Sequence, residues 1–236
     1  MYLSCEARPS DSPFIERVWR THSEDTLPFV SIAERHCSIV VTRYQGKTTM
    51  TVRGPEIRAS PAICPSDAEF IGVQFRAGAF MPDFPAQMVM DRHDLNLPEA
   101  SSKTFWLHGS SWQFPDYENV ETFVGRLVRD GLLVSDPLVG AALQGESNKV
   151  SPRTVQRRFL RSTGLTQTTI SQIERARYAT ILLTQGMSIL DTMDQAGYFD
   201  QPHLTRSLKR WIGQTPAQIK SSDRLPLSFL YNTQPF

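Results

Sequence analysis

Between residues 150 and 219 the chain carries the same local pattern twice, and few folds accommodate that repetition. The first copy reads VSPRTVQRRFLRSTGLT and the second SILDTMDQAGYFDQPHLTRSLKRWIGQTPAQI. Ser151 is suited to cap a helix, Pro152 fits its first turn, and Gly164 supplies the left-handed residue that closes it. Val155, Phe159 and Ser162 then share one side, with Arg153, Gln156, Arg157 and Leu160 on or near the other. In the second copy Ser188 caps a helix carrying Ile189, Thr192 and Met193, which closes at Gly197. Asp200 then caps a further helix over 201–212, with Pro202 in its first turn. Leu204, Leu208 and Trp211 form its inner side. Gln201, Thr205 and Arg206 face out, with Lys209 and Arg210 further along.

A solvated basic face would account for either helix alone; the repetition favours recognition. Arg donates bidentately to guanine and Gln pairs with adenine, so these side chains suit base edges in a major groove. Between the two copies, 168–185 reads as one helix with Ile170, Ile173, Ala176, Ile181 and Leu182 inward. Eighteen residues span about 27 Å, close to the ~34 Å of one duplex turn. Two reading helices on such a spacer would address adjacent groove segments from a single chain.

The charge distribution agrees with that division of labour. Residues 1–134 hold 13 Lys/Arg against 17 Asp/Glu, and 135–236 hold 12 against 7, so net −4 is followed by net +5. The second part has the sign that phosphate contact needs. Cys5, Cys37 and Cys64 are odd in number and widely spaced, which favours reduced thiols over a disulfide or zinc framework. No basic segment followed by an apolar stretch opens the chain, and no apolar run approaches the ~20 residues of a membrane span, so a cytoplasmic protein is expected.

Upstream the periodicity is that of strands. Residues 38–42 (SIVVT) and 48–52 (TTMTV) read as a hairpin around Gln45-Gly46, and 70–75 (FIGVQF) as a further strand. Prolines at 55, 61, 65, 82, 85, 98 and 115 cut residues 10–115 into short elements, as in a sandwich, jelly roll or open barrel. Val120, Phe123, Val124, Leu127 and Val128 then fall at helical spacing, a stripe for the chain's own core or for a second subunit. Asp136 and Pro137 open another helix to about residue 144, with a turn over 145–148. The fold class expected is α+β in two domains: a β-rich one over 1–134 with a terminal helix, and an all-α one over 135–236. The latter divides into a helix-turn-helix unit at about 137–164, the linker helix, a second unit at about 188–212, and the apolar tail LPLSFLY from Leu225.

On the motifs SPRTVQRRF followed by TG, RARYATILL, and GYFDQPHLTRSLKRWIGQTP, the chain resembles the AraC/XylS family of bacterial transcription regulators. The resemblance covers about residues 136–220. It implies a double helix-turn-helix domain acting on double-stranded promoter DNA. Carried over, the base-reading side chains are Arg153, Gln156 and Arg157 in the first helix and Gln201, Thr205 and Arg206 in the second. Phosphate contacts fall to Lys149, Thr168, Thr169 and Lys209. Thr192-Met193 stand where the family usually has an aliphatic residue followed by Ala, which puts the angle of the second reading helix in question. The resemblance also implies a cupin-like N-terminal domain that binds a small effector or dimerises, with RNA polymerase as a further partner and a monomer or homodimer as the assembly.

For an effector pocket, Arg76, Phe75 and Trp106 are the candidates, Arg76 as the group that neutralises an anion; aromatic core and a surface salt bridge are the competing readings. His22, His36, His93, His108 and His203 are scattered, so no metal site is expected, nor any cofactor. GxSxG, HExxH, P-loop and GxGxxG patterns do not occur, and no catalytic residue is assigned. Two rivals stand beside the effector-controlled regulator: a constitutive regulator whose N-terminal domain only dimerises or binds a partner protein, and an enzyme fused to a DNA-binding module.

Overall fold

The computed structural model describes residues 4–91, 93–143, 150–222 and 224–228. In chain order the first strands are β1 (Ser4–Arg8), β2 (Ile15–Ser23), β3 (Leu27–Ser31), β4 (Ser38–Tyr44), β5 (Lys47–Arg53), β6 (Ser60–Cys64) and β7 (Ala68–Phe75). Shorter ones follow: β8 (Ala79–Phe80), β9 (Leu95–Asn96), β10 (Glu99–Ser101), β11 (Thr104–Leu107) and β12 (Ser110–Gln113). A 3-10 turn, Ala86–Met88, lies between β8 and β9. After α1 (Val120–Arg129) and β13 (Val134–Ser135) the chain is helical: α2 (Pro137–Leu143), α3 (Pro152–Thr163), α4 (Gln167–Thr184), α5 (Ile189–Gln195), α6 (Gln201–Trp211) and α7 (Pro216–Lys220). The strand-then-helix division of the sequence therefore holds.

Packing groups these elements into two compact units. One comprises Met1–Thr26, Arg35–Pro55 and Pro65–Gln167; the other comprises Leu27–Glu34, Glu56–Cys64 and Thr168–Phe236. This grouping crosses the sequence boundary near residue 134 in both directions. The helices α2 and α3 fall in the first unit, and the strands β3 and β6 fall in the second.

The first unit is built on an antiparallel sheet of order β1-β2-β7-β4-β5-β9. Strands β4 and β5 form the expected hairpin, in register from Ser38↔Arg53 to Tyr44↔Lys47. Its turn residues Gln45 and Gly46 both take positive φ, 49° and 74°, the twist that a two-residue hairpin requires. Ile39, Val41, Met50, Val52, Ile71 and Val73 are buried and join Phe105 and Trp112 of the small sheet β10-β11-β12 in one apolar core. The stripe on α1 belongs to this same core. Phe123 sets its ring edge-on to Trp112, centroids 5.8 Å apart, and 6.2 Å from Phe105. Gly72 lies opposite Trp19 in the β2–β7 ladder, and a Cβ there would fall 2.0 Å from the indole, so only glycine admits that ring.

At the sheet edge Arg8 grips Glu121 of α1 with a bidentate ion pair and donates to the Tyr117 carbonyl at 2.8 Å. The Tyr117 ring lies between the Arg8 and Arg20 guanidinium groups, 4.9 and 4.5 Å away. The Arg8 hydrogen bond holds the Glu121 carboxyl below the usual carboxylate range, and burial pushes the Tyr117 hydroxyl up. Burial in the core likewise pushes the Cys37 thiol up to about 12, which makes it an inert side chain near neutral pH.

The second unit joins α4–α7 to a two-stranded sheet, with β3 and β6 paired from Leu27↔Cys64 to Ser31↔Ser60. Pro28 and Pro61 obscure these strands in the sequence, yet proline is tolerated where every strand is an edge. The tail packs back here: Val30 donates to the Pro226 carbonyl, Ser228 donates to the Val30 carbonyl, and Leu227 is buried.

Candidate nucleic-acid interface

Each of the two candidate helices, α3 and α6, is set by its own local chemistry. The Ser151 hydroxyl accepts from the Thr154 amide at 3.3 Å, Pro152 occupies the first turn, and Gly164 closes α3 in the left-handed region at φ 70°. Phe159 is fully buried, as are Ser162 and Thr163. Val155, on the same side by its spacing, is only half-buried. Arg158 is committed to Asp136 at 3.0 Å, the residue that also accepts from the Leu138 amide at the start of α2. That leaves Arg153, Gln156 and Arg157, at i, i+3 and i+4, exposed together on one side of α3.

In α6 the Asp200 carboxylate accepts from the His203 amide at 2.6 Å, and Pro202 again sits in the first turn. Leu204 and Leu208 are fully buried and Trp211 nearly so. Gln201, Arg206 and Lys209 are exposed and Thr205 is half-buried. Lys209 also donates to the Gly213 carbonyl at 3.3 Å, while the Arg210 guanidinium stacks 4.2 Å from the Trp211 ring. No carboxylate among the described residues pairs with Arg153, Arg157 or Arg206. Three guanidinium groups and two amides thus stand exposed, the guanidinium groups without a carboxylate among the described residues, and exposed donors are what contact with base edges requires.

The turn that precedes α6 is braced from the linker helix. Arg175 of α4 donates to the Gly197 carbonyl at 3.3 Å and stacks 4.6 Å from the Tyr198 ring. The Tyr198 hydroxyl meets Ser207 of α6 at 2.9 Å, and burial raises its pKa. In α5 the Ser188 hydroxyl accepts from the Asp191 amide at 3.1 Å. Of the two residues that depart from the family pattern, Thr192 takes the core position. It is fully buried, and its hydroxyl has no partner among the described residues, whereas Met193 is half-buried.

Among the phosphate candidates, Thr168 is exposed and Thr169 half-buried, both in the first turn of α4. Lys149 lies outside the described residues, as does the turn expected over 145–148. On α4, Ile170, Ile173, Ala176 and Leu182 are buried as expected, Ile181 half so.

Sequence patterns gave no sign of what closes the carboxyl end of α6. The last carbonyls of a helix lack partners within it. Here the Ala33 amide donates to the Trp211 carbonyl at 2.7 Å and the Ala59 amide to the Arg210 carbonyl at 2.9 Å. Both donors come from the segments flanking β3 and β6. Arg177 of α4, 5% exposed, fastens the first of these segments by donating to the Ala33 carbonyl and to the Glu34 carboxylate, each at 3.1 Å. Gly213 fits beside them only because it has no side chain: a Cβ would lie 2.8 Å from Val30.

The three residues proposed for an effector pocket have other surroundings. Phe75 is 1% exposed within the apolar core, and the Arg76 guanidinium donates to the backbone carbonyls of Ser10, Ser12 and Ile15, not to a carboxylate. Trp106 is half exposed on β11. An open cleft of about 780 Å³ lies elsewhere in the first unit, with Arg20, His22, Arg43, Lys47, Asp67 and Glu69 among its lining. No group of His, Cys, Asp and Glu suited to a metal ion occurs among the described residues. None of the described helices is long and apolar enough to cross a membrane.

A protein family described as "Helix-turn-helix domain" matches residues 146–222. Among curated proteins the chain is similar to "HTH-type transcriptional regulator RipA" of Corynebacterium glutamicum, 35% identical over 88 residues. That stretch is 36% of this chain and 27% of the relative, so the chain spans about a quarter of the length of the protein it matches. No solved structure matches.

Proposed function

We propose, from the match of residues 146–222 to a helix-turn-helix domain and from the resemblance to AraC/XylS regulators, that this chain is a sequence-specific DNA-binding transcription regulator. The observation that carries the reading is the pair of capped helices, α3 and α6, each presenting exposed Arg and Gln side chains that no carboxylate among the described residues pairs with. In this reading Arg153, Gln156 and Arg157 address one major-groove segment, and Gln201, Thr205 and Arg206 the adjacent one. Lys149, Thr168, Thr169 and Lys209 contact phosphates and supply a salt-dependent affinity common to all sequences. The protein works in the cytoplasm on promoter DNA and with RNA polymerase, as a monomer or homodimer, and it catalyses no reaction. A small effector bound to the β-rich part shifts the protein between states that do and do not engage DNA. The open cleft with its charged lining is the place in the β-rich part where a polar effector would be sought.

The test is a duplex selected from a random library by the full chain, then titrated with variants. Arg157→Ala and Arg206→Ala should each lose ~1–3 kcal/mol on that duplex and relax base preference at one position. If both bind as the wild type does while Lys149→Ala abolishes binding, the assignment of faces is wrong. Native mass spectrometry of the purified chain reports on the effector, since a stoichiometric small-molecule adduct is expected.

A further inference from the structure

Phe199 is 91% exposed, the most exposed of the large apolar side chains among the described residues. It directly precedes Asp200, the cap of α6. An apolar residue at that position ordinarily packs on the fourth residue of the helix it precedes, here Leu204. Leu204 is fully buried by other neighbours, and Phe199 stands in water instead. The surrounding turn is not loose. Arg175 holds the Gly197 carbonyl, Tyr198 is tied to Ser207, and Asp200 is bound to the His203 amide. A rigid turn therefore presents a bare aromatic ring at the amino end of the helix, continuous with Gln201.

We infer that Phe199 is a base-reading residue whose ring packs on the 5-methyl group of a thymine in the half-site read by α6. The inference rests on the DNA-binding reading above. A recognition helix enters the major groove amino end first, and its opening residues meet the base edges. Thymine is the one base that offers a methyl group there, and an aromatic ring is a good partner for it. The contact buries both the ring and the methyl, so the exposure that is costly in the free protein becomes affinity in the complex. Gln201 and Arg206 supply hydrogen bonds beside it, and Phe199 adds an apolar reading that neither can make.

The experiment replaces each thymine of the selected duplex in turn by deoxyuridine, which lacks only the methyl group, and measures the affinity of the full chain. Wild type should lose about fourfold at one or two positions of the α6 half-site, the factor expected for one buried methyl group. Phe199→Ala should bind the unmodified duplex roughly tenfold more weakly, and the substitution at those positions should then have no further effect. Phe199→Leu should restore part of both. Thermal melting should be the same for all three proteins, because the ring packs on nothing in the free chain. If Phe199→Ala binds as wild type does, or keeps the full sensitivity to deoxyuridine, the inference is overturned while the DNA-binding reading stands. Unchanged DNA affinity with lost transcription by purified RNA polymerase would also overturn it, by assigning the ring to a protein contact. If no duplex is enriched at all, the DNA-binding reading itself fails and this inference falls with it.

Discussion

Replacing Arg177 by Ala should release the β3–β6 segment from the helices of its unit. Arg177 is 5% exposed and its guanidinium makes two hydrogen bonds of 3.1 Å, one to the Ala33 carbonyl and one to the Glu34 carboxylate. A hydrogen bond to a charged group contributes about 1.5–3 kcal/mol, and breaking one side of a buried ion pair costs about 3–5 kcal/mol. Glu34 retains 20% exposure of its side chain, so its carboxylate keeps some hydration when Arg177 is removed, and the low end applies. The expected loss is about 3 kcal/mol, close to two bonds at the lower value. Hydrogen exchange over α6 is the direct assay, because the Ala33 amide donates to the Trp211 carbonyl at the end of that helix. Amides of α6 that exchange through opening of this unit should do so roughly a hundredfold faster in the variant, while those of β4 and β7 keep their wild-type rates. Arg177→Met fills much of the same volume without the donors and should lose nearly as much. A change under about 0.5 kcal/mol in both variants would refute the reasoning, because a buried tie of this kind cannot be that weak.

Two further outcomes follow from the same packing. Gly213→Ala should destabilise the second unit by about 1–3 kcal/mol, since φ is 81° and the new Cβ would meet Val30 at 2.8 Å and Ala59 at 3.0 Å; urea unfolding measures this. The Arg8–Glu121 pair fixes a pH dependence. Because the folded carboxyl titrates below its usual range, its stabilisation is present above the ordinary value near 4.5 and is lost as pH falls through the folded value. Melting temperatures of wild type should therefore exceed those of Glu121→Gln near neutral pH and converge with them in acid, whereas a gap constant down to pH 3 would contradict the assignment.

Helix ends were legible in the sequence because the groups that set them are neighbours along the chain. Ser151, Ser188 and Asp200 each accept from an amide three residues on, and Gly164 takes the left-handed conformation its position demands. The β4–β5 hairpin was legible for the same reason, its turn chemistry and its alternation lying within sixteen residues. The outward side of α3 could be read from its period, but the weight carried by its two inward candidates could not. Phe159 is fully buried and Val155 half so, which the neighbouring elements decide. The sequence showed Arg177 only as one more charge on a helix, and Phe199 only as an aromatic before a cap. What made the first a buried tie is the course of residues 27–34 and 56–64. These lie more than a hundred residues from α6, yet they pack in its unit and cap its last carbonyls. Capping and turn formation are local, and a single stretch of sequence specifies them. Burial depends on which distant surfaces meet, and only the tertiary structure assigns it.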